Sequence, residues 1–258
     1  MTPSAIVFSF VMAAIFTVIV PVGTLIVLGI KRKISGLPLL LGAISFFLSQ
    51  FVLRMPLISM LSGQDWYQAL AAKFILYVLF LSFSAALFEE SARLGGALLL
   101  KKHRIYKDVI SFGLGHAFCE VILLVGIANV SNALMCLSIN SVGVSMLPTE
   151  QMEPILVWLA GTSTMDIWLG ILERFIAVIF HIFATVLVFT GVTKKKTRYY
   201  FFAIFVHTAF NLSAVLLAQF AGIIVSEIVL FIAALAMGFY VIKRREDFDV
   251  VRQRDNQP

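Results

Sequence analysis

Two adjacent glutamates and an arginine, Glu89, Glu90 and Arg93, interrupt a run that is otherwise largely apolar from Phe74 to Leu100. A second apolar run carries His116 and Glu120, and a third carries His207 and Asn211. Glu89 and Arg93, His116 and Glu120, and His207 and Asn211 each stand four apart, so each pair shares one helix face. Ionisable groups inside hydrocarbon-length runs are costly unless they face a bundle interior or a wetted cavity. Carboxylates and imidazoles move protons, and amide or imidazole N–H groups stabilise a developing oxyanion. The combination therefore marks a buried polar site facing the bundle interior. The same side chains offer the nitrogen and oxygen donors that zinc takes.

The elements that must position these residues are membrane spans. The 258 residues are 60% hydrophobic and 13% charged, with a mean hydropathy of +0.99. A soluble domain could not hide that much apolar side chain, so the fold class is an all-α, polytopic membrane helical bundle. Runs long enough to cross a bilayer occur at 5–30, 36–53, 70–100, 108–136, 167–193, 199–219 and 222–242. The second is the shortest reading, because Arg54 and Pro56 close it early. At about 1.5 Å of rise per residue, Glu89 and Glu90 lie about 16–18 Å from the end of span three near Lys101. His116 and His207 lie about 12 Å, and Glu120 and Asn211 about 18 Å, from the same side. The polar groups of three spans thus reach one level.

Basic residues set the expected orientation. Lys31, Arg32 and Lys33 follow span one; Lys101, Lys102, Arg104 and Lys107 join spans three and four. Lys194, Lys195, Lys196 and Arg198 join spans five and six, and Lys243, Arg244 and Arg245 follow span seven. The alternate loops are poor in Lys and Arg. The positive-inside rule then puts the amino terminus outside and the carboxyl terminus in the cytoplasm. The net charge of +6 is a topology signal beside anionic headgroups, and no nucleic-acid partner is expected. The first run lacks a basic n-region and is too long for a cleavable signal, so it reads as a retained span.

Residues 1–243 read as one membrane domain and 244–258 as a charged cytoplasmic tail, with no repeat or soluble domain. Cys119 and Cys136 fall on one helix and cannot pair with each other, so no disulfide framework is expected. The long connection, 137–166, carries Pro148, Glu150, Glu153, Pro154 and Asp166, and its apolar part from Pro154 to Gly161 is expected at the interface. Gly113 and Gly115 beside His116, and Gly95 and Gly96 after Arg93, allow close helix approach.

The sequence Glu89-Glu90-Ser91-Ala92-Arg93 resembles the EExxR motif of the intramembrane glutamic protease superfamily, which includes CAAX prenyl endopeptidases and their bacterial Abi relatives. Phe112 to His116 fits its FxxxH motif and His207 to Asn211 its HxxxN motif, in the family's order. The seven-span layout also resembles APH-1, the non-catalytic subunit of gamma-secretase. Among bacterial branches the chain is similar to the YhfC-type intramembrane peptidases. Gly115-His116 with Glu120 resembles their GH-xx-E element, and Glu173-Arg174 with His181 their ER…H element.

The resemblance implies peptide-bond hydrolysis in the bilayer, on a membrane-embedded protein or peptide. Glu89 would act as general base, with Glu90 a second base or a packing partner. His207 and Asn211 would face the oxyanion, His116 would orient the water or protonate the amine, and Arg93 would hold the Glu89 carboxylate. Glu120, His181, Glu173 and Arg174 are supporting residues; a structural salt bridge suits Glu173 and Arg174, and His181 serves equally well as a helix–helix hydrogen-bonding residue. With no HExxH helix, a cofactor-free glutamic mechanism is preferred over a zinc site at Glu89, His116 and His207. A non-catalytic scaffold and a proton-coupled transporter are the competing classes, although no inverted repeat marks the latter.

Overall fold

The computed structural model of the chain describes residues 2–101 and 103–248. Of the tail expected at 244–258, the part beyond Phe248 lies outside the described residues. Seven helices among those described are long and apolar enough to cross a membrane: α1 (Ser4–Ile30), α2 (Gly36–Leu61), α4 (Phe74–Leu99), α5 (Tyr106–Val142), α7 (Thr164–Thr193), α8 (Arg198–Ala221) and α9 (Ile223–Phe248). Two shorter helices, α3 (Asp65–Ala71) and α6 (Thr149–Gly161), lie in the connections. The protein is an all-helical, multi-pass integral membrane protein. In lipid this follows from the need to satisfy every backbone polar group within its own segment.

Two boundaries differ from expectation. Helix α2 runs through Arg54 and Pro56 to Leu61 instead of stopping near 53. Leu48–Arg54 is π-helical, and Pro56 falls in the first turn of the α-helical segment that follows. There its missing N–H and fixed φ cost little. Residues 149–161 are helical, and α5 extends past Cys136 to Val142. Both cysteines are free thiols.

The chain divides into two compact units. The first comprises residues 1–27 and 121–175. Its core gathers Ile6, Phe10, Ala133, Cys136, Ile139, Leu147 and Leu159. Asn140 secures the start of this unit by accepting from the Thr2 N–H at 2.6 Å and donating to the Thr2 carbonyl at 2.9 Å.

The second unit, residues 28–120 and 176–258, contains the polar layer. Its apolar core includes Val109, Phe112, Val186, Phe189, Ala203 and Val241. Helices α2 and α5 meet here through reciprocal glycine contacts. A Cβ on Gly42 would overlap the Phe112 carbonyl, and one on Gly115 would overlap the Leu39 carbonyl. Only glycine at both positions permits this backbone approach, which brings the α2 residue Ser45 to His116. Gly96 likewise makes room for the Phe112 ring, whereas Gly95 faces open space.

Candidate functional site

Four helices of the second unit, α2, α4, α5 and α8, together with the part of α7 beyond Phe175, supply one buried cluster. Glu89, Glu90, Arg93, His116, His181 and His207 are all buried, with Glu90, Arg93 and His116 having no exposed surface. Phe46 lies edge-on to His116 at 5.3 Å. Phe180 stands between His181 and His207, with ring centroids 5.1 and 4.9 Å away, and stacks on Phe210. These aromatic walls fix the imidazole planes and keep the surroundings apolar.

Glu89 is the centre. Its Oε2 lies 3.1 Å from His116 Nε2, 3.8 Å from His181 Nδ1 and 4.0 Å from His207 Nε2. The opposite nitrogen of each imidazole is held by a different group. The Ser45 hydroxyl donates to the Gly42 carbonyl at 2.7 Å, so at 3.0 Å it accepts from His116 Nδ1. His181 Nε2 meets Glu120 Oε2 at 2.5 Å, and its Nδ1 accepts from Arg93 Nη2 at 3.1 Å. His207 Nδ1 donates to Glu90 Oε1 at 2.8 Å. A carboxylate accepts only, so the Glu120 and Glu90 contacts assign an N–H to the nitrogen they touch.

The consequence is electrostatic. His116 and His207 each turn an unprotonated Nε2 toward one carboxylate oxygen, lone pair facing lone pair, while the third nitrogen near it, His181 Nδ1, is engaged by Arg93 Nη2. A proton or a cation at the centre is what such an arrangement favours. The donor atoms of Glu89, His116 and His181 lie within 4.8 Å of one another, close enough to share one ion. An imidazole whose far nitrogen is tied to a carboxylate or hydroxyl is the arrangement metal-binding histidines adopt. The residues therefore fit a nitrogen- and oxygen-liganded divalent cation.

Several sequence expectations are revised here. Arg93 does not hold Glu89; it pairs with Glu90, three residues before it on α4. The reason is competition, since Glu89 Oε1 already accepts from Gln50 Nε2 at 2.6 Å. Glu90 belongs to the Arg93–His207 side of the cluster. His181, for which two roles stood level, joins the centre, and it is His181 rather than His207 that completes the tightest donor set. Glu120 Oε2 lies 2.5 Å from His181 Nε2. Asn211 lies one turn beyond His207 on α8, half-buried, and among the described residues its amide takes no part in the hydrogen bonds that knit the cluster. Glu173 and Arg174 pair with each other and belong to the first unit.

Ser45, Gln50 and Arg54 were not anticipated. Gln50 and Arg54 stand four apart on α2, the same spacing that singled out the other pairs, but ending span two near 53 hid the second of them.

The fold and the site together define a multi-pass membrane protein with a buried, histidine-rich carboxylate centre. The model of the YhfC intramembrane metalloprotease family matches residues 16–233, and the chain belongs to that family. It is also similar to the uncharacterized membrane protein YhfC of Bacillus subtilis (strain 168), with 31% identity over 175 residues that cover 64% of this chain and 67% of that protein. No solved structure matches the chain.

Proposed function

We propose that the protein is a metal-dependent intramembrane endopeptidase of bacterial cell membranes. The observation that carries this reading is the convergence of three anchored imidazoles on Glu89 Oε2, with donor atoms of Glu89, His116 and His181 within 4.8 Å of one another. Glu89, His116 and His181 would hold a zinc-like ion. Bound there, it would supply Lewis acidity, activating a water and polarising the scissile carbonyl.

The remaining steps belong to side chains. His207 is placed to take a proton from the attacking water on Nε2, because Glu90 holds Nδ1–H at 2.8 Å and fixes the tautomer. Glu90 stabilises the imidazolium that results, and Arg93 compensates the Glu90 charge within the buried layer. The Asn211 amide, on the same helix, would donate to the oxyanion. His207 then returns its proton to the leaving amine nitrogen. The substrate is a membrane-embedded protein or peptide, which reaches the layer through the bilayer. The distribution of basic loops supports an amino terminus outside and a carboxyl terminus in the cytoplasm. The ordered EExxR, FxxxH and HxxxN patterns support a wider kinship with the CAAX prenyl endopeptidase and Abi proteins.

One observation favours a second, metal-free reading. Arg93 Nη2 donates to the His181 Nδ1 lone pair at 3.1 Å, the position a metal ligand would need free. In that case Glu89 itself accepts the proton of the water. Metal analysis of the purified protein separates the two. The first reading expects about one tightly held equivalent of zinc, lost in His116→Ala and His181→Ala together with cleavage. Chelator-resistant cleavage by metal-free protein would establish the second. Quantitative membrane proteomics of cells carrying the wild type or Glu89→Gln identifies the substrate, and an unchanged cleavage pattern would overturn both readings.

A further inference from the structure

The π-helical stretch of α2 presents polar side chains to the site helices. Ser45 lies just before this stretch and reaches His116 on α5. Gln50, buried within it, donates from Nε2 to Glu89 Oε1 at 2.6 Å. Arg54, at its end, donates from Nη1 to Gln50 Oε1 at 3.0 Å, from Nε to Ser84 Oγ at 3.1 Å and from Nη2 to the Leu81 carbonyl at 2.9 Å. Widened π turns are frequent where a helix must serve a functional site.

We infer that Gln50 and Arg54 are positioning residues that aim the Glu89 carboxylate. The inference rests on the reading that Glu89 centres the site, and it holds with or without a metal. A primary amide can turn either end toward a neighbour, and only its NH₂ end can donate to a carboxylate. A guanidinium has donors and no acceptor. Arg54 therefore determines which way Gln50 points: with Oε1 engaged by Nη1, Nε2 must face Glu89. Arg54 is itself held by two groups of α4, Ser84 and Leu81, so the chain of contacts returns to the helix that carries Glu89. One carboxylate oxygen is tied to α2, and the other is left to face the three imidazoles. Without Gln50, the carboxylate would be free to rotate about its terminal torsion, which is broad for glutamate.

Infrared spectroscopy of the full chain in lipid nanodiscs tests this directly. The Glu89 carboxyl band is the one lost in the Glu89→Gln difference spectrum. Gln50→Met, nearly isosteric and without a donor, is expected to move that band and to lower cleavage roughly 10–100-fold, the usual effect of losing a partner behind a site ligand. Arg54→Met should move the band in the same direction, and the double variant should move it no further than Gln50→Met alone, because Arg54 acts through Gln50. An unmoved band in Gln50→Met, or a further shift in the double variant, would overturn the inference. Thermal unfolding of Gln50→Met monitors the fold, and that variant decides the question even if Arg54→Met does not fold. Retained cleavage in Glu89→Gln would sink the proposed function instead, while the band would still report whether Gln50 grips Glu89.

Discussion

Glu90→Gln is the substitution for which the structure gives the clearest magnitude. Glu90 and Arg93 both have no exposed surface and form an ion pair. Glu90 Oε1 is shared between Arg93 and His207 Nδ1, so a single oxygen compensates the buried cation and anchors an imidazole. With Gln at 90 the volume is nearly unchanged but the charge is gone. Arg93 could still donate to the amide oxygen and to His181 Nδ1, but neither of these acceptors carries the charge that compensates it now. Neutralising one member of a buried ion pair costs about 3–5 kcal/mol. At roughly 2–4 °C per kcal/mol for a chain of this size, the melting temperature should fall by roughly 6–20 °C.

Thermal unfolding in detergent or nanodiscs measures the single variant, and the double variant Glu90→Gln/Arg93→Met isolates the cause. Replacing both charges with groups of similar volume is often near neutral, so the double variant should regain at least about half of the loss. Turnover should not return with stability. A carboxylate-to-amide change behind a proton-carrying histidine permits the wrong tautomer and costs on the order of 10⁴-fold. A single variant destabilised by less than about 1 kcal/mol, the range of exposed pairs, would refute the buried-pair argument. So would a double variant as unstable as the two losses combined.

Helix packing and the support behind His181 carry the remaining predictions. Gly115→Ala should destabilise the protein by about 1–3 kcal/mol or more and depress cleavage, since its Cβ would overlap the Leu39 backbone and the helices must part. Gly95→Ala, facing open space, should be neutral or stabilising by up to about 1 kcal/mol in the same unfolding assay. Glu120→Gln should weaken zinc affinity about 10–100-fold in a chelator competition, because Glu120 holds His181 from behind.

Much of this site could be read from the chain because hydrocarbon makes ionisable residues conspicuous. Glu89, Glu90, Arg93, His116 and His207 stood out against their apolar runs, and helical rise alone placed them at one level. Which oxygen meets which nitrogen was not legible. Glu89 and Glu90 are neighbours in sequence, and only the arrival of Gln50 from α2 decides that Arg93 turns to Glu90. His181 follows Glu173 and Arg174 by about two turns of an otherwise apolar helix, and that spacing alone does not separate a site residue from a packing one. Its place depends on Glu120 of α5 and Arg93 of α4 meeting its two nitrogens.

The misreading of α2 has a different cause. A charge at the end of an apolar run marks the membrane boundary only when water is what solvates it. Arg54 is solvated by Ser84, Gln50 and the Leu81 carbonyl, so its charge is compatible with a helix that continues to Leu61. Hydropathy penalises Arg54 as a breaker for the same property that suits it to direct Gln50. Even a half-buried arginine costs enough in lipid that it persists where several acceptors converge on it. The three acceptors around Arg54 therefore mark α2 as a structural part of the site, on the same physical grounds that identified Glu89.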